Sequence, residues 1–349
     1  RSWGAKMAAA AIAGDHLHTP EEVRLVSRLK GAFADEFARR SATSTDYPCL
    51  FGDLALLRVL RGNGNDLEQA IEWFARCLQK VEECDLDNMV VAMSRKLDDA
   101  NTITPLDEML PYHDDIKEYV RAVFSAPRTT PAGDLVNYIS FARFNMWAMM
   151  SRMKWSHWVK YMHGATVMRM IECDKQSRKQ GRLVRVVTII DVADCSFGMF
   201  NCPSWHVAHS RDLGSFQESV AAEIFGPVVV LNAPWLVQKV FAGALRFAPE
   251  RFRRKISLVA GNGADDAAFV RLVGGEAQLK QLLAVRESIF AEGAEVGGST
   301  SSGSTRRLHG VELERCYVER GRGRVEAAAR CGDFLCDPHG QKPRPYLRP

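Results

Sequence analysis

The sequence lacks the hallmarks of several protein classes. No apolar run approaches the ~20 residues that a transmembrane helix needs, which argues against a membrane-spanning segment. The formal net charge of +4 is small for 349 residues, so the chain has no broad basic surface suited to nucleic acid. Its nine cysteines are odd in number and scattered through apolar segments, which favours a reducing compartment over a disulfide framework. We therefore expect a cytoplasmic protein without a nucleic-acid partner.

Recognisable catalytic motifs are also missing. The chain contains no Gly-x-Ser-x-Gly, His-Glu-x-x-His or phosphate-loop sequence. Gly261-Asn262-Gly263 lacks the third glycine of a dinucleotide loop, and the cysteines near Cys331 have irregular spacing for zinc. The sequence therefore offers no catalytic motif, and we expect neither a metal nor a cofactor.

Alternation of strands and helices predicts an α/β fold. Apolar or alternating runs predict strands at Leu135–Arg143, Val184–Asp191, Val228–Leu231 and Ile256–Val259. Helical spacing predicts a long helix over Phe144–Cys173, rich in Met and Trp, and a mixed helix over Ser204–Glu223, while 178–182 is predicted to be a solvated turn. Such a pattern is typical of a mixed, mainly parallel β-sheet flanked by helices.

The first third of the chain is predicted to be helical. Thr19 begins a capping box, and Asp66 caps another helix with one apolar side. Further helices are predicted at Asp53–Leu60, Asp87–Lys96 and Asp115–Phe124, and the prolines and glycine near residue 130 mark a break.

The stretch from Val228 to Val259 combines a strand, an apolar helix, a basic turn and a second strand. Pro234 suits the first helical turn and Pro249 ends the helix. Between them, the apolar residues that surround most of the predicted helix are Trp235, Leu236, Val237, Val240, Phe241, Ala244 and Leu245. Such a helix is either an ordinary core helix or the cover of an apolar cavity.

Two short sequence motifs in this stretch resemble those of a known family. Leu231-Asn232-Ala233-Pro234-Trp235 and Arg254-Lys255-Ile256, at this separation, resemble the CRAL-TRIO family of lipid-transfer domains of the Sec-fourteen type. The earlier segment LALLRVLRGNGNDLEQAIEWF is similar to the small helical module that precedes the domain in that family. The resemblance implies a CRAL-TRIO fold in which the apolar helix is a mobile gate over a lipid pocket.

This resemblance suggests four regions. Residues 1–45 are expected to form a helical extension, residues 46–130 the small all-α module, and residues 131–292 the lipid-binding domain. Residues 293–349 are Gly/Ser-rich at their start and polar and basic beyond, and we expect a flexible, disordered tail.

The resemblance also implies a headgroup site. In the phosphatidylinositol-binding branch, a glutamate and a lysine stand at the positions of Glu223 and Lys255, and a threonine stands at that of Thr188. A carboxylate accepts hydrogen bonds from inositol hydroxyls, and a lysine neutralises a phosphate. The alternative is a surface salt bridge with Thr188 as an ordinary strand residue. Val186 replaces a serine that is common in this branch.

The predicted function is non-enzymatic binding of a phospholipid and its transfer between membranes, with phosphatidylinositol as the expected lipid. Four cations near the gate, Arg246, Arg251, Arg253 and Arg254, are expected to dock the protein transiently on anionic membranes, unless they form a plain solvated face. A monomeric, peripheral membrane protein is expected. The alternatives are a binder of another hydrophobe, such as a sterol, tocopherol or retinoid, and a regulatory scaffold that docks membranes or proteins.

Overall fold

The computed structural model describes most of the chain up to residue 287. The described residues are 18–40, 48–99, 109–117, 119, 121–123, 130–141, 146–193, 202–221, 223–234, 255–284 and 287. The chain divides into two compact units, Arg1–Ile289 and Phe290–Pro349, and every described residue lies in the first. The tail predicted over 293–349 therefore lies outside the described residues.

Seven helices precede the sheet in the described part of the chain. They are α1 (Pro20–Ala32), α2 (Ala34–Arg39), α3 (Pro48–Phe51), α4 (Asp53–Gly62), α5 (Leu67–Glu83), α6 (Leu86–Asp99) and α7 (His113–Ile116). The capping box at Thr19 is confirmed, because its side chain accepts a hydrogen bond from the Glu22 amide at 3.2 Å while Glu22 accepts one from the Thr19 amide. The cap at Asp66 is confirmed as well.

A sheet of five strands follows, with helices between the strands. The elements are β1 (Arg121–Val123), β2 (Leu135–Ser140), α8 (Met146–Arg152), α9 (Trp155–Gln180), β3 (Val186–Asp191), α10 (Pro203–His209), a π-helix (Ser210–Gly214), α11 (Ser215–Val220), β4 (Phe225–Leu231), β5 (Ile256–Val259), α12 (Ala267–Val273) and α13 (276–284). The strand order is β1-β2-β3-β4-β5, and only the first pair among these described strands is antiparallel.

Several predicted boundaries were wrong. Asp115–Phe124 is not one helix, because α7 ends at Ile116 and Arg121–Val123 pairs with the edge of β2, a tertiary contact that overrides local propensity. The helix predicted over Phe144–Cys173 is divided between α8 and α9, and α9 continues to Gln180, so most of the predicted turn at 178–182 is helical. Gly181 then ends α9 with a φ of 67°.

The two faces of the sheet have different surroundings. On the back face, the side chains of Val187, Ile189 and Val229 pack against Phe269 of α12 and Leu279 of α13. The front face is defined by two rows of residues that share the opposite side of the strands, namely Asn137, Thr188, Val228 and Ile256, followed by Ile139, Ile190, Val230 and Leu258.

The helical module and the sheet share one large core. Val186, at the beginning of the front face, belongs to the same buried cluster as leucines of α1 and α4 and residues of α9. The Met- and Trp-rich segment belongs to this core, since Trp158, Met168 and Met170 are buried in it. None of the described helices is long and apolar enough to cross a membrane.

Candidate functional site

Three charged side chains meet at the edge of the sheet where β3, β4 and β5 begin. Arg185 precedes β3, Glu223 precedes β4 and Lys255 precedes β5, and parallel strands bring these three positions to the same edge. The Lys255 Nζ lies 3.3 Å from the Glu223 Oε1, and an Arg185 guanidinium nitrogen lies 3.6 Å from the Glu223 Oε2. We call these three residues the charged cluster.

The charged cluster is neither buried nor fully solvated. The side chains of Arg185, Glu223 and Lys255 are 27%, 23% and 34% exposed. The Lys255 ammonium also donates to the Phe225 carbonyl oxygen at 3.0 Å, which fixes it beside β4. Two cations thus flank one carboxylate, so the cluster has an excess of positive charge and a single strong acceptor. This combination suits a ligand that carries both a phosphate and hydroxyl groups.

The backbone of Glu223 has an unusual conformation. Its φ is 51°, in the left-handed region, which costs about 1 kcal/mol for a residue with a side chain. A guanidinium N–H of Arg58, on α4, donates to the Glu223 carbonyl oxygen at 3.1 Å. Arg58 is 4% exposed, and burial lowers the pKa of its guanidinium, although arginine remains charged at neutral pH. The helical module therefore contacts the charged cluster directly.

Thr188 lies on the front face at some distance from the charged cluster. Thr188 on β3 is in register with Val228 on β4, and Val228 is in register with Ile256 on β5. Two strand spacings therefore separate Thr188 from β5, the strand that directly follows Lys255. At about 4.8 Å per spacing, the separation is roughly 10 Å. Its hydroxyl is half-buried and forms no hydrogen bond to any described residue. Only a ligand that extends over both strands could contact Thr188 and Lys255 together.

Asn137 is the neighbour of Thr188 on β2 and shares its face. It is 3% exposed, and its Oδ1 accepts no hydrogen bond from any described residue. A buried acceptor without a donor costs on the order of 1–3 kcal/mol, so the fold keeps a polar side chain here against its own stability. Sequence reasoning did not single out this residue.

The end of the front face is apolar and separate from both main cores. Val192, Val230 and Ala233 form a small buried cluster, joined by the partly buried Ile190 and Leu258. Asn232, between the strand and the predicted gate, has a φ of 57° and donates to the Asp191 carboxylate at 2.8 Å. This apolar cluster lies where the strands end, whereas the charged cluster lies at the opposite end, where they begin.

The remaining predicted site residues lie outside the described residues. These are the gate residues Trp235, Leu236, Val237, Val240, Phe241, Ala244 and Leu245, and the predicted membrane-docking residues Arg246, Arg251, Arg253 and Arg254. Of the headgroup residues, the structure brings Glu223 and Lys255 together and places Thr188 on the adjoining face. Sequence reasoning missed Arg185, and it treated Arg58 only as part of a helical motif.

Comparisons with known proteins agree with this architecture. Residues 123–270 match the family model of the CRAL/TRIO domain. The chain is also similar to a crystal structure of Sfh5, with 13% sequence identity and a TM-score of 0.50 over 79% of this chain and 99% of that chain. At this identity the likeness shows the fold alone. No curated protein matches the sequence.

Proposed function

We propose that this chain binds a phospholipid and transfers it between membranes, since residues 123–270 match the CRAL/TRIO domain, a family whose members bind lipids and other small hydrophobic ligands. The proposed ligand is phosphatidylinositol. The observation that carries the proposal is the charged cluster of Arg185, Glu223 and Lys255, placed at the edge of an apolar sheet face.

The headgroup would be held at this edge. The Glu223 carboxylate would accept hydrogen bonds from inositol hydroxyls, and Lys255 with Arg185 would neutralise the phosphate. The Thr188 hydroxyl, roughly 10 Å across the sheet from β5, would donate to the phosphate or to the glycerol ester region of the same lipid. A site built to bind hydroxyls discriminates against a headgroup that lacks them, because its own polar groups are then left unpaired.

The acyl chains would lie on the apolar part of the front face. Two chains carry about 30 methylenes at roughly 0.8 kcal/mol each, so on the order of 25 kcal/mol opposes their exposure to water. Transfer therefore needs an apolar cover, and we assign that role to the predicted gate helix, with Trp235, Leu236, Val237, Val240, Phe241, Ala244 and Leu245 facing the lipid.

Opening of the gate would take place at a membrane. The arginines at 246, 251, 253 and 254 flank the end of the predicted gate helix, and each cation near an anionic surface contributes about 1 kcal/mol to docking. Lipid exchange needs no chemical step, so the proposed activity is non-enzymatic.

A second ligand class is favoured by one observation. Val186, at the position where the phosphatidylinositol-binding branch often has serine, is fully buried in the shared core and offers no hydroxyl. A hydrophobe with a small polar end, such as a sterol, would need fewer hydroxyl contacts than a phosphoinositol headgroup. Native mass spectrometry of the lipid that copurifies with the full chain separates the two classes directly.

Vesicle transfer with a charge-neutral variant tests the headgroup assignment. Glu223→Gln keeps the side-chain shape and removes the carboxylate, and we expect at least a tenfold slower transfer of phosphatidylinositol. Glu276→Gln, at an exposed position of α13 on the opposite side of the sheet, is the matched control and should transfer at the unaltered rate. Equal transfer by Glu223→Gln and the unaltered protein would refute the proposed headgroup site.

A further inference from the structure

Arg58 is the contact through which the helical module touches the charged cluster. It lies on α4 and is buried together with the leucines of that helix. Its guanidinium donates to the Glu223 carbonyl oxygen at 3.1 Å, to the Ser177 Oγ at 3.0 Å and to the Val184 carbonyl oxygen at 2.8 Å. One buried group therefore binds α9, the segment before β3 and the segment before β4.

Two of these three acceptors adjoin members of the charged cluster. Val184 directly precedes Arg185, and the Glu223 carbonyl belongs to the cluster residue itself. The Arg185 backbone is also held by β2 and the turn before it, because its N–H donates to the Asp134 Oδ1 at 3.0 Å and its carbonyl oxygen accepts from the Leu135 N–H at 2.9 Å. The Glu223 carbonyl oxygen, by contrast, is held by Arg58. The fork geometry of a guanidinium holds two such oxygens at a fixed separation, which a flexible ammonium with rotating donors does not.

The conformation of Glu223 makes this contact important for its side chain. With a φ of 51°, the residue is in a conformation that side chains disfavour, so other contacts must hold it. Without the Arg58 contact, relaxation of φ to the usual negative region would rotate the Cα–Cβ bond away from Lys255 and Arg185. The carboxylate would then leave the place where it meets both cations.

We propose that Arg58 is a positioning residue, which holds the Glu223 and Arg185 segments in the geometry that selects the ligand headgroup. The inference rests on the proposed phosphatidylinositol site, and it adds that the helical module sets the selectivity of that site. Arg58 itself does not touch the lipid.

The test is a double-mutant cycle that measures selectivity. The full-chain protein transfers lipid from vesicles that contain phosphatidylinositol and phosphatidylcholine with identical acyl chains, and the readout is the ratio of the two rates. We expect Arg58→Lys to lower this ratio about tenfold in the unaltered background. In the Glu223→Gln background the same change should leave the ratio unaltered, because the carboxylate that would select the inositol hydroxyls is already gone and Arg185 would bind the phosphate that both lipids share.

Ser177→Ala is the matched structural control. It removes an acceptor that the Arg58 guanidinium shares with the Val184 N–H, and it leaves the Arg58 contact with Glu223 in place. We therefore expect lower stability in urea unfolding and an unaltered ratio. If Arg58→Lys does not fold, Arg58→Gln, which keeps two N–H donors and buries no charge, enters the same cycle.

Two results would overturn the inference while leaving the headgroup site intact. One is an equal loss of selectivity when Arg58 is changed with or without Glu223→Gln. The other is a loss in Ser177→Ala as large as in the Arg58 variant, which would mark a general structural effect. A ratio that Glu223→Gln itself does not change would instead refute the proposed function.

Discussion

Replacing Lys255 with methionine separates the contribution of this residue to the fold from its contribution to ligand binding. Methionine keeps an unbranched apolar stem and removes only the ammonium. In the structure this ammonium lies 3.3 Å from the Glu223 carboxylate and 3.0 Å from the Phe225 carbonyl oxygen. The variant therefore loses one ion pair and one hydrogen bond, both near the surface.

For Lys255→Met, the expected loss of stability is much smaller than the expected loss of ligand binding. Lys255 is 34% exposed, and partly exposed ion pairs contribute about 0–1 kcal/mol. Arg185 remains 3.6 Å from Glu223, so the carboxylate keeps a cation beside it, and we expect a stability loss below about 1 kcal/mol. A charge-assisted hydrogen bond to a lipid phosphate is worth about 1.5–3 kcal/mol, which corresponds to roughly 10- to 150-fold weaker binding of phosphatidylinositol.

The assay combines urea unfolding with transfer between vesicles. Lys280→Met, at an exposed position of α13 on the back side of the sheet, is the control and should change neither quantity. The reasoning is refuted if Lys255→Met slows phosphatidylinositol transfer less than about threefold. It is also refuted if transfer falls only in proportion to a large loss of stability, since the side chain would then support the fold and not the headgroup.

Three further predictions concern stability and reactivity. The hydrogen-bonded ion pair with Arg61, and after it the hydrogen bonds with Thr19, lower the pKa of Glu22 to about 2. Glu22→Gln should therefore be less stable at pH 7, and its difference from the unaltered protein in free energy of unfolding should shrink as the pH falls from about 4.5 towards 2. Urea unfolding over this range is the measurement, and a difference that is constant with pH would contradict the ion pair. Asn137→Leu removes a buried acceptor that has no donor, so we expect it to raise the free energy of unfolding by about 1 kcal/mol. If the free energy of unfolding instead fell by about 1 kcal/mol, the amide would be satisfied in the fold. Burial raises the pKa of the Cys77 and Cys173 thiols to about 12 and raises that of Cys49 as well, so alkylation by iodoacetamide at pH 8, read by mass spectrometry, should modify these three only after unfolding.

Local sequence signals predicted most of the sheet. Val228–Leu231 and Ile256–Val259 are short apolar runs bounded by turn or charged residues, and both are parallel strands in the structure. The CRAL-TRIO fold inferred from the words around Asn232 and Lys255 is confirmed by the family match and by the architecture. The short strand β1 was missed because it forms through its pairing with β2, and a segment of three residues carries no local sequence pattern that predicts this pairing.

The candidate site was predictable only where a motif existed. Glu223 and Lys255 were identified from family spacing, whereas Arg185 has no motif and meets Glu223 only because two parallel strands start at one edge. Arg58 lies among leucines in a helix where an arginine is ordinarily expected at the surface, and its burial depends on acceptors more than a hundred residues away. The residues expected to form the gate and to dock membranes remain predictions.

Because α12 and α13 cover the back face of the sheet, this side of the protein is suited to attaching a dye or a surface tether. A dye or surface tether placed at position 280 would stand on α13, which covers the back face of the sheet, away from the front face. The protein could then be immobilised or tracked in real time while its front face stays open. A reporter at this position would test the proposed lipid binding without lying on the face that we assign to the ligand.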